Sequence, residues 1–164
     1  MGEPEGWLFL AFTLDACPFD GLRAFGTRRC VAHHCRPDMR GELTTTTLAL
    51  ALLRHPPPPG LLHHSDRGVQ SAAADFQDLA TANGLTLSMS RTANPYDNAL
   101  AESFVATLKT ECFGHAVPPT RATAQLMAFD YIETFYNRRR RHSSLGYHSP
   151  LDFEKQMFPQ NNNH

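Results

Sequence analysis

Apolar and polar positions along the chain follow patterns that predict strands and helices in turn. Residues 7–14 (WLFLAFTL) form a continuous apolar run of strand length, which is typical of a buried strand. Residues 42–54 predict a mostly buried helix that ends near four consecutive prolines, because proline cannot continue a helix. Short strands are predicted at 60–66 and 85–89, and a helix at 71–82 lies between them.

Two long helices follow, from residue 97 to about 112 and from about 120 to 139. Apolar residues recur at helical spacing in the first helix, at Leu100, Phe104, Val105, Leu108 and Cys112. At about 100° per residue, Asn98, Glu102 and Lys109 fall within about 40° of one another. An amide, an acid and a base therefore share one exposed line. On spacing alone, a solvated helix face is the favoured explanation of that line.

The pattern breaks down in residues 16–38, where Cys, His, Pro and Gly recur at irregular intervals and only a short strand around 29–33 is predicted. Elsewhere strands alternate with helices, an order that implies a partly parallel α/β sheet covered by helices. A chain of 164 residues is long enough for one ordinary domain and too short for two. We expect that domain in residues 1–155, followed by a polar tail at 156–164.

Composition and charge exclude several classes of protein. Hydrophobic residues make up 41% of the chain, a globular value that rules out a disordered or collagenous protein. No apolar run in the sequence is long enough to cross a bilayer, and the acidic first residues do not resemble a signal peptide. We therefore expect a cytoplasmic protein with reduced thiols and no membrane partner. The net charge of -1 means that any site for nucleic acid must be local.

Two local features suggest metal chemistry by themselves. Asp66 ends a predicted strand, where a carboxylate of an open α/β sheet can hold a metal ion. A turn or helix-capping aspartate is the ordinary alternative. The segment 30–35 (CVAHHC) suggests zinc, but its spacing is too tight for four tetrahedral ligands from one loop and no second ligand pair complements it. Zinc is therefore disfavoured.

Longer segments carry a resemblance to a known family. The segments 61–70 (LLHHSDRGVQ), 88–112 (SMSRTANPYDNALAESFVATLKTEC) and 129–154 (FDYIETFYNRRRRHSSLGYHSPLDFE) are similar to the catalytic core of insertion-sequence transposases of the OrfB type. Those proteins belong to the retroviral-integrase-like DDE superfamily. The resemblance covers residues 41–155 almost without a gap. In addition, 35 residues separate the two acids at positions 66 and 102, which is the family's separation between its second and third acidic residues.

The resemblance implies a ribonuclease-H-like fold, a mixed sheet flanked by helices, that acts in DNA integration and transposition. In the family, three carboxylates hold two Mg²⁺ or Mn²⁺ ions, which activate the attacking oxygen and stabilise the leaving oxygen of a phosphodiester. By position, Asp66 is the second acid and Glu102 is the third. Asn98 and Lys109 are then candidates for contacts with DNA phosphates.

The family's first acidic ligand has no match in this chain. The family carries it on a first strand shortly before a Gly-Trp pair, here Gly6-Trp7, and the five residues before that pair do not reproduce the strand. We therefore expect a sheet that lacks its first strand, and little or no strand transfer by this chain alone. Asp15, Glu3 and Glu5 are not expected to replace the missing ligand.

One dense basic run, Arg138 to Arg141, precedes His142. Charge alone leaves a solvated helix end as an equal alternative to a DNA contact. The resemblance favours DNA for the residues that match the family's motif, which are Asn137, Arg139, Arg140 and His142. Such contacts are expected to weaken steeply with salt.

Together these observations predict a transposase core that acts on DNA with Mg²⁺ or Mn²⁺ and is catalytically incomplete in this copy. DNA is the expected partner, with full-length transposase or a second copy of the chain. The alternatives are a non-catalytic DNA-binding or dimerising remnant, and an inert product that folds poorly because a lost strand exposes the sheet. Residues 16–38 depart from the family's hairpin, and a frame slip or a small insertion is our hypothesis for that segment.

Overall fold

The computed structural model describes residues 8–14, 19–24, 26–35, 42–57, 60–65, 74–89, 95–114 and 116–157. The strands in these ranges are β1 Leu8–Leu14, β2 Phe19–Ala24, β3 Cys30–Cys35, β4 Leu62–Ser65 and β5 Thr86–Met89. The α-helices are α1 Glu42–Arg54, α2 Ala74–Ala82, α3 Pro95–Thr107, α4 Arg121–Asp130 and α5 Pro150–Met157. None of these helices is long and apolar enough to span a membrane.

The strands form one mixed sheet in the order β3-β2-β1-β4-β5. β2 pairs antiparallel with β1 and β3, whereas β4 runs parallel to both β1 and β5. The parallel register places Leu62 opposite Leu8 on one side and opposite Thr86 on the other. Parallel neighbours need a crossover connection, and α1 and α2 occupy the connections that lead to β4 and β5. The predicted partly parallel, helix-covered α/β sheet is therefore confirmed.

Two clusters of buried apolar side chains hold the helices and the sheet together. The first includes Leu48 of α1 and Phe76 of α2, both with no exposed surface. The second includes Phe104 of α3 and the residues Leu108, Ala128, Ile132 and Tyr136. β3 contributes Val31 to the first cluster and Cys30 to the second, since successive strand residues point to opposite sides.

Both long predicted helices are present, and each ends in a π-helical turn. α3 continues into the π-helical segment Leu108–Cys112, and α4 into the π-helical segment Tyr131–Tyr136. The second segment closes with the backbone nitrogen of Asn137 donating to the Ile132 carbonyl oxygen at 3.0 Å. Such widened turns recur at functional sites, and these two border the region in which the site residues were predicted.

The structure differs from the sequence prediction at two places. α3 begins at Pro95 and not at Asp97, because the fixed φ of proline suits the first turn of a helix. The irregular segment 16–38 contains two strands, β2 and β3, where the sequence predicts only one. β2 pairs with β1 and β3 pairs with β2, and such tertiary pairing leaves no local period. The frame-slip hypothesis stays a hypothesis.

The sequence also predicts a sheet that lacks its first strand. In the described residues, the central position between β2 and β4 is filled by β1, which pairs with both of them. The sheet is therefore continuous from β3 to β5.

Candidate nucleic-acid interface

The carboxyl end of β4 is the predicted place of one acidic ligand. β4 ends at Ser65 between its parallel neighbours β1 and β5, and the carboxyl ends of parallel strands are where such sheets bind ligands. Asp66 is the next residue and lies outside the described ranges. Its predicted approach to Glu102 therefore stays a prediction.

The second predicted ligand lies on α3, which packs against β1 at the centre of the sheet. Glu102 and Lys109 are both exposed, as the helical spacing predicts. Phe104 and Leu108, by contrast, are buried in the second apolar cluster. Asn98 belongs to the same helix, but its side chain lies outside the described part of the structure.

The exposed carboxylate of Glu102 offers the hard oxygen donors that Mg²⁺ prefers. Within the described ranges, no group of three His, Cys, Asp or Glu side chains is placed to hold a metal ion. Glu102 therefore fits as one ligand of a magnesium site. Completing that site requires carboxylates from outside those ranges, and Asp66 is the predicted candidate.

The segment 30–35 forms β3, and two of its residues, Cys30 and His33, have separate partners. Cys30 is buried, and its Sγ lies 3.6 Å from the carbonyl oxygen of Ala32. The ring of His33 is tilted against Phe129 at 5.7 Å, and its Nε2 lies 3.5 Å from Oε1 of Glu133. Because strand side chains alternate between two sides, Cys30 and His33 do not converge on one point.

Asn137, predicted from the resemblance to contact DNA, is buried with 4% of its surface exposed. Its Oδ1 accepts a hydrogen bond from the backbone nitrogen of Cys30 at 3.0 Å, and its Nδ2 donates to the Cys30 carbonyl oxygen at 3.0 Å. The amide thus joins the end of the second long helix to β3. The structure gives Asn137 a structural role that the sequence did not predict.

Arg140 is held in place by Glu111, which lies 29 positions earlier in the chain. Its Nε and one terminal nitrogen donate to the carboxylate over 2.7–3.0 Å, and the Tyr131 hydroxyl donates to the same carboxylate at 2.6 Å. The Arg140 guanidinium, with a smaller effect from Tyr131, holds the pKa of Glu111 below its ordinary value. The same hydrogen bonds to Glu111 raise the pKa of Arg140. The arrangement orients one guanidinium of the basic run.

The lowered pKa of Glu111 predicts a pH-dependent contribution to stability. A carboxyl group with a depressed folded pKa stabilises the fold above its unfolded pKa, near 4.5, and this stability is lost as pH falls through the folded pKa. Because the Glu111 side chain is 35% exposed, we expect Glu111→Gln to cost only about 1 kcal/mol at neutral pH. Urea unfolding of both proteins from pH 7 into the acid range should show that the stability difference between wild type and Glu111→Gln becomes smaller below pH 4.5.

Asp78, exposed on α2, provides the matched control. The variant Asp78→Asn should show no comparable loss at neutral pH. A Glu111→Gln variant that is as stable as the wild type at pH 7 would contradict the stabilising role of the Arg140–Glu111 pair.

The remaining residues of the predicted DNA motif differ in exposure. Arg139 is exposed, whereas His142 is 6% exposed and makes an edge contact with the Tyr136 ring at 5.3 Å. Nδ1 of His142 also lies 3.3 Å from a terminal nitrogen of Arg140. Within this motif, Arg139 is therefore the residue best placed to reach a ligand in solvent.

A polar cleft of about 270 Å³ lies between α3 and the basic run. Its lining residues are Arg28, Ser103, Phe104, Thr107, Tyr136, Arg140, Arg141, His142, Ser143 and Ser144. The rings of Phe104 and Tyr136 meet edge to face at 4.8 Å. Sequence reasoning did not single out Arg28 or the hydroxyls. The only local signal is the four-residue spacing of Ser103 and Thr107 on α3, and Arg28 joins the cleft only through the tertiary fold.

Comparisons with known proteins agree with this architecture. A family model described as an integrase core domain matches residues 83–150. The chain is 44% identical to the uncharacterized 31 kDa protein of insertion element IS600 from Shigella sonnei, over 92% of this chain and 52% of that protein. It is 40% identical to the transposase for insertion sequence element IS904 from Lactococcus lactis, over 92% and 56% of the two chains. The chain spans about half the length of these relatives.

Solved structures with a similar fold are catalytic cores of retroviral integrases. The catalytic core domain of BIV integrase superposes with a TM-score of 0.67 at 16% identity, covering 93% of this chain and 95% of that domain. The HTLV-2 integrase catalytic core domain in complex with magnesium superposes with a TM-score of 0.65 at 12% identity, covering 93% of this chain and 99% of that chain. The predicted ribonuclease-H-like fold class is thereby confirmed.

Proposed function

We propose that this chain, which is similar to insertion-sequence transposases and to the integrase core domain, acts on DNA in transposition by metal-dependent phosphoryl transfer. The observation that carries this proposal is the position of Glu102, exposed on a helix that packs against the central strand β1. β4, the parallel neighbour of β1, ends immediately before Asp66. Glu102 therefore lies on a helix that contacts β1, and Asp66 comes directly after the strand that pairs with β1.

In this proposal, Asp66 and Glu102 hold Mg²⁺ or Mn²⁺. A bound ion supplies charge that stabilises the attacking and leaving oxygens of a phosphodiester. Lys109, in the π-helical segment that continues α3, is exposed as Glu102 is, and we assign to it, to Asn98 and to Arg139 the binding of DNA phosphates. Contacts of this kind orient the DNA without reading its sequence.

We also propose that strand transfer by this chain alone is weak. Only two of the family's three acidic ligands have a match in the sequence, and Mg²⁺ gives up its hydration water reluctantly, so each lost carboxylate weakens the site. The partners we propose are DNA and either a full-length transposase or a second copy of the chain, in the cytoplasm.

A second candidate function is DNA binding or dimerisation without catalysis. Three apolar side chains on α4 and the π-helical segment after it are exposed, Leu126 at 70%, Phe129 at 49% and Phe135 at 42%. Large exposed apolar patches mark interaction surfaces in other proteins, and these three side chains belong to one continuous stretch of helix. This candidate predicts DNA binding that does not respond to divalent ions.

Metal binding provides the direct test. Isothermal titration of the full chain with Mn²⁺ should show binding, and Glu102→Gln or Asp66→Asn should weaken it by at least about tenfold, since each removes a charged oxygen ligand. Asp78→Asn removes an exposed helical carboxylate elsewhere and should leave the affinity unchanged. If Glu102→Gln and Asp66→Asn both bind Mn²⁺ as tightly as the wild type, the proposed site is wrong.

Catalytic incompleteness is tested separately. The purified chain, given labelled oligonucleotide ends and a supercoiled plasmid in Mg²⁺ or Mn²⁺, should join few or none of the ends to the plasmid. Efficient joining that disappears in Glu102→Gln would show that the chain is a complete enzyme.

A further inference from the structure

The polar cleft concentrates positive charge on a chain whose net charge is -1. Arg28, Arg140 and Arg141 line it, and none of the described residues that line it is acidic. Arg140 is fixed by Glu111, and a guanidinium has more N–H donors than these contacts use. Planar guanidinium groups match the oxygens of a phosphate and remain charged at every physiological pH. The charge of the cleft therefore favours an anion with several oxygen acceptors.

A rigid turn supplies hydroxyl groups on the same cleft. Ser143 and Ser144 are exposed at the start of a short 3₁₀ turn whose third residue, Leu145, is buried. The backbone nitrogen of His142 donates to the His148 carbonyl oxygen at 3.1 Å, which closes the loop at its base. Groups held in place before binding lose little entropy when a ligand arrives. The backbone that carries the two hydroxyls is therefore held in place before a ligand binds.

The backbone of the cleft is strained at Arg28. Its φ of 57° lies in the left-handed region, which costs a non-glycine residue about 1–2 kcal/mol. The Tyr136 hydroxyl donates to the Arg28 carbonyl oxygen at 3.3 Å and helps to retain this conformation. Strained residues that the surrounding fold maintains cluster at ligand-binding sites, and this one lines the cleft.

We propose that the polar cleft binds one phosphodiester of the DNA backbone, with Arg28 and Arg141 as charged contacts and Ser143 and Ser144 as hydrogen-bond donors. The volume of about 270 Å³ lies just below the range of about 300–1,000 Å³ for pockets that enclose whole ligands. It suits a phosphate group and not a stacked series of bases. The inference rests on the proposed action on DNA and adds a contact that lies outside the metal-binding pair.

The test measures binding of a fluorescent random-sequence duplex to the full chain in EDTA, as a function of salt. Arg141→Ala and Arg28→Ala should each weaken binding about threefold to tenfold and lower the salt slope by about 1, the effect of losing one phosphate contact. Replacing Ser143 and Ser144 together with alanine should weaken binding without changing the slope. Arg121→Ala, exposed on α4 and absent from the cleft, is the matched control and should bind as the wild type does.

A thermal melt of each variant controls for folding, and Arg28→Gly provides a second variant that relieves the backbone strain while removing the charge. Wild-type affinity and slope in both Arg141→Ala and Arg28→Gly would overturn the proposal. The proposal would also be wrong if the cleft binds only free anions. In that case Arg141→Ala loses the binding of inorganic phosphate while its DNA binding stays unchanged. Because EDTA removes divalent ions, failure here leaves the Asp66–Glu102 proposal standing, and failure of Mn²⁺ binding leaves this one standing.

Discussion

Replacing Asn137 with alanine is expected to lower the free energy of unfolding by about 2–5 kcal/mol, because two buried backbone groups lose their partners at once. The side-chain amide accepts a hydrogen bond from the backbone nitrogen of Cys30 and donates one to its carbonyl oxygen, each at 3.0 Å. Cys30 is 2% exposed and Asn137 is 4% exposed, so water does not readily take over these bonds. Equilibrium unfolding in urea, followed by circular dichroism, measures the loss.

Arg139, two positions away and exposed, gives the matched control. Arg139→Ala should change the stability by less than about 0.5 kcal/mol and should instead weaken DNA binding. The opposite pattern, with Asn137→Ala as stable as the wild type but defective on DNA, would show that Asn137 contacts the nucleic acid directly.

Truncating Tyr136 to alanine is expected to cost about 3–5 kcal/mol, the range for removing a large aromatic side chain from a core. Its ring is 1% exposed and meets the rings of Phe104 at 4.8 Å and His142 at 5.3 Å. The guanidinium of Arg140 lies 5.8 Å from its centroid. One ring therefore supports α3 and the basic run together, and DNA binding through the polar cleft should fall along with the stability.

Tyr136→Phe separates the ring from its hydroxyl. The lost hydrogen bond to the Arg28 carbonyl oxygen is long, at 3.3 Å, so we expect a cost of about 1 kcal/mol or less. Thermal melts and urea unfolding of the two variants compare these costs. A Tyr136→Phe variant as unstable as Tyr136→Ala would show that the hydroxyl, and not ring packing, carries the stability.

Much of the secondary structure follows from local pattern. The apolar run 42–54 predicts α1 to the residue, and β1 matches the predicted strand except for Trp7, which lies outside the described ranges. Thr120 starts the second long helix as predicted, with its side-chain oxygen accepting from the backbone nitrogen of Thr123 at 3.1 Å. Periodicity and capping are properties of neighbouring residues, so the sequence alone reveals them.

The organisation of the candidate interface depends on contacts between distant positions, and the sequence alone does not reveal it. The motif around Asn137 resembles a DNA-binding run, yet the Asn137 side chain forms hydrogen bonds with Cys30 of β3, which lies 107 positions earlier. The sequence does not indicate an acidic partner for Arg140, but in the structure its guanidinium donates hydrogen bonds to the Glu111 carboxylate. Arg28 reaches the polar cleft only because β3 begins beside the second long helix. Each of these pairings is set by tertiary packing, for which no local signal exists.

The two hydrogen bonds between the Asn137 side-chain amide and the Cys30 backbone also occupy polar groups at the edge of the sheet. β3 is an outer strand, and the unpaired backbone groups of an outer strand are a template on which a foreign strand can add. At Cys30 a side-chain amide takes the place of that foreign strand, offering one acceptor and one donor. The ion pair between Arg29 and Glu154 at 2.8 Å sets α5 against the same end of the strand. Asn137 and α5 thus cover the start of β3, where a foreign strand could otherwise pair.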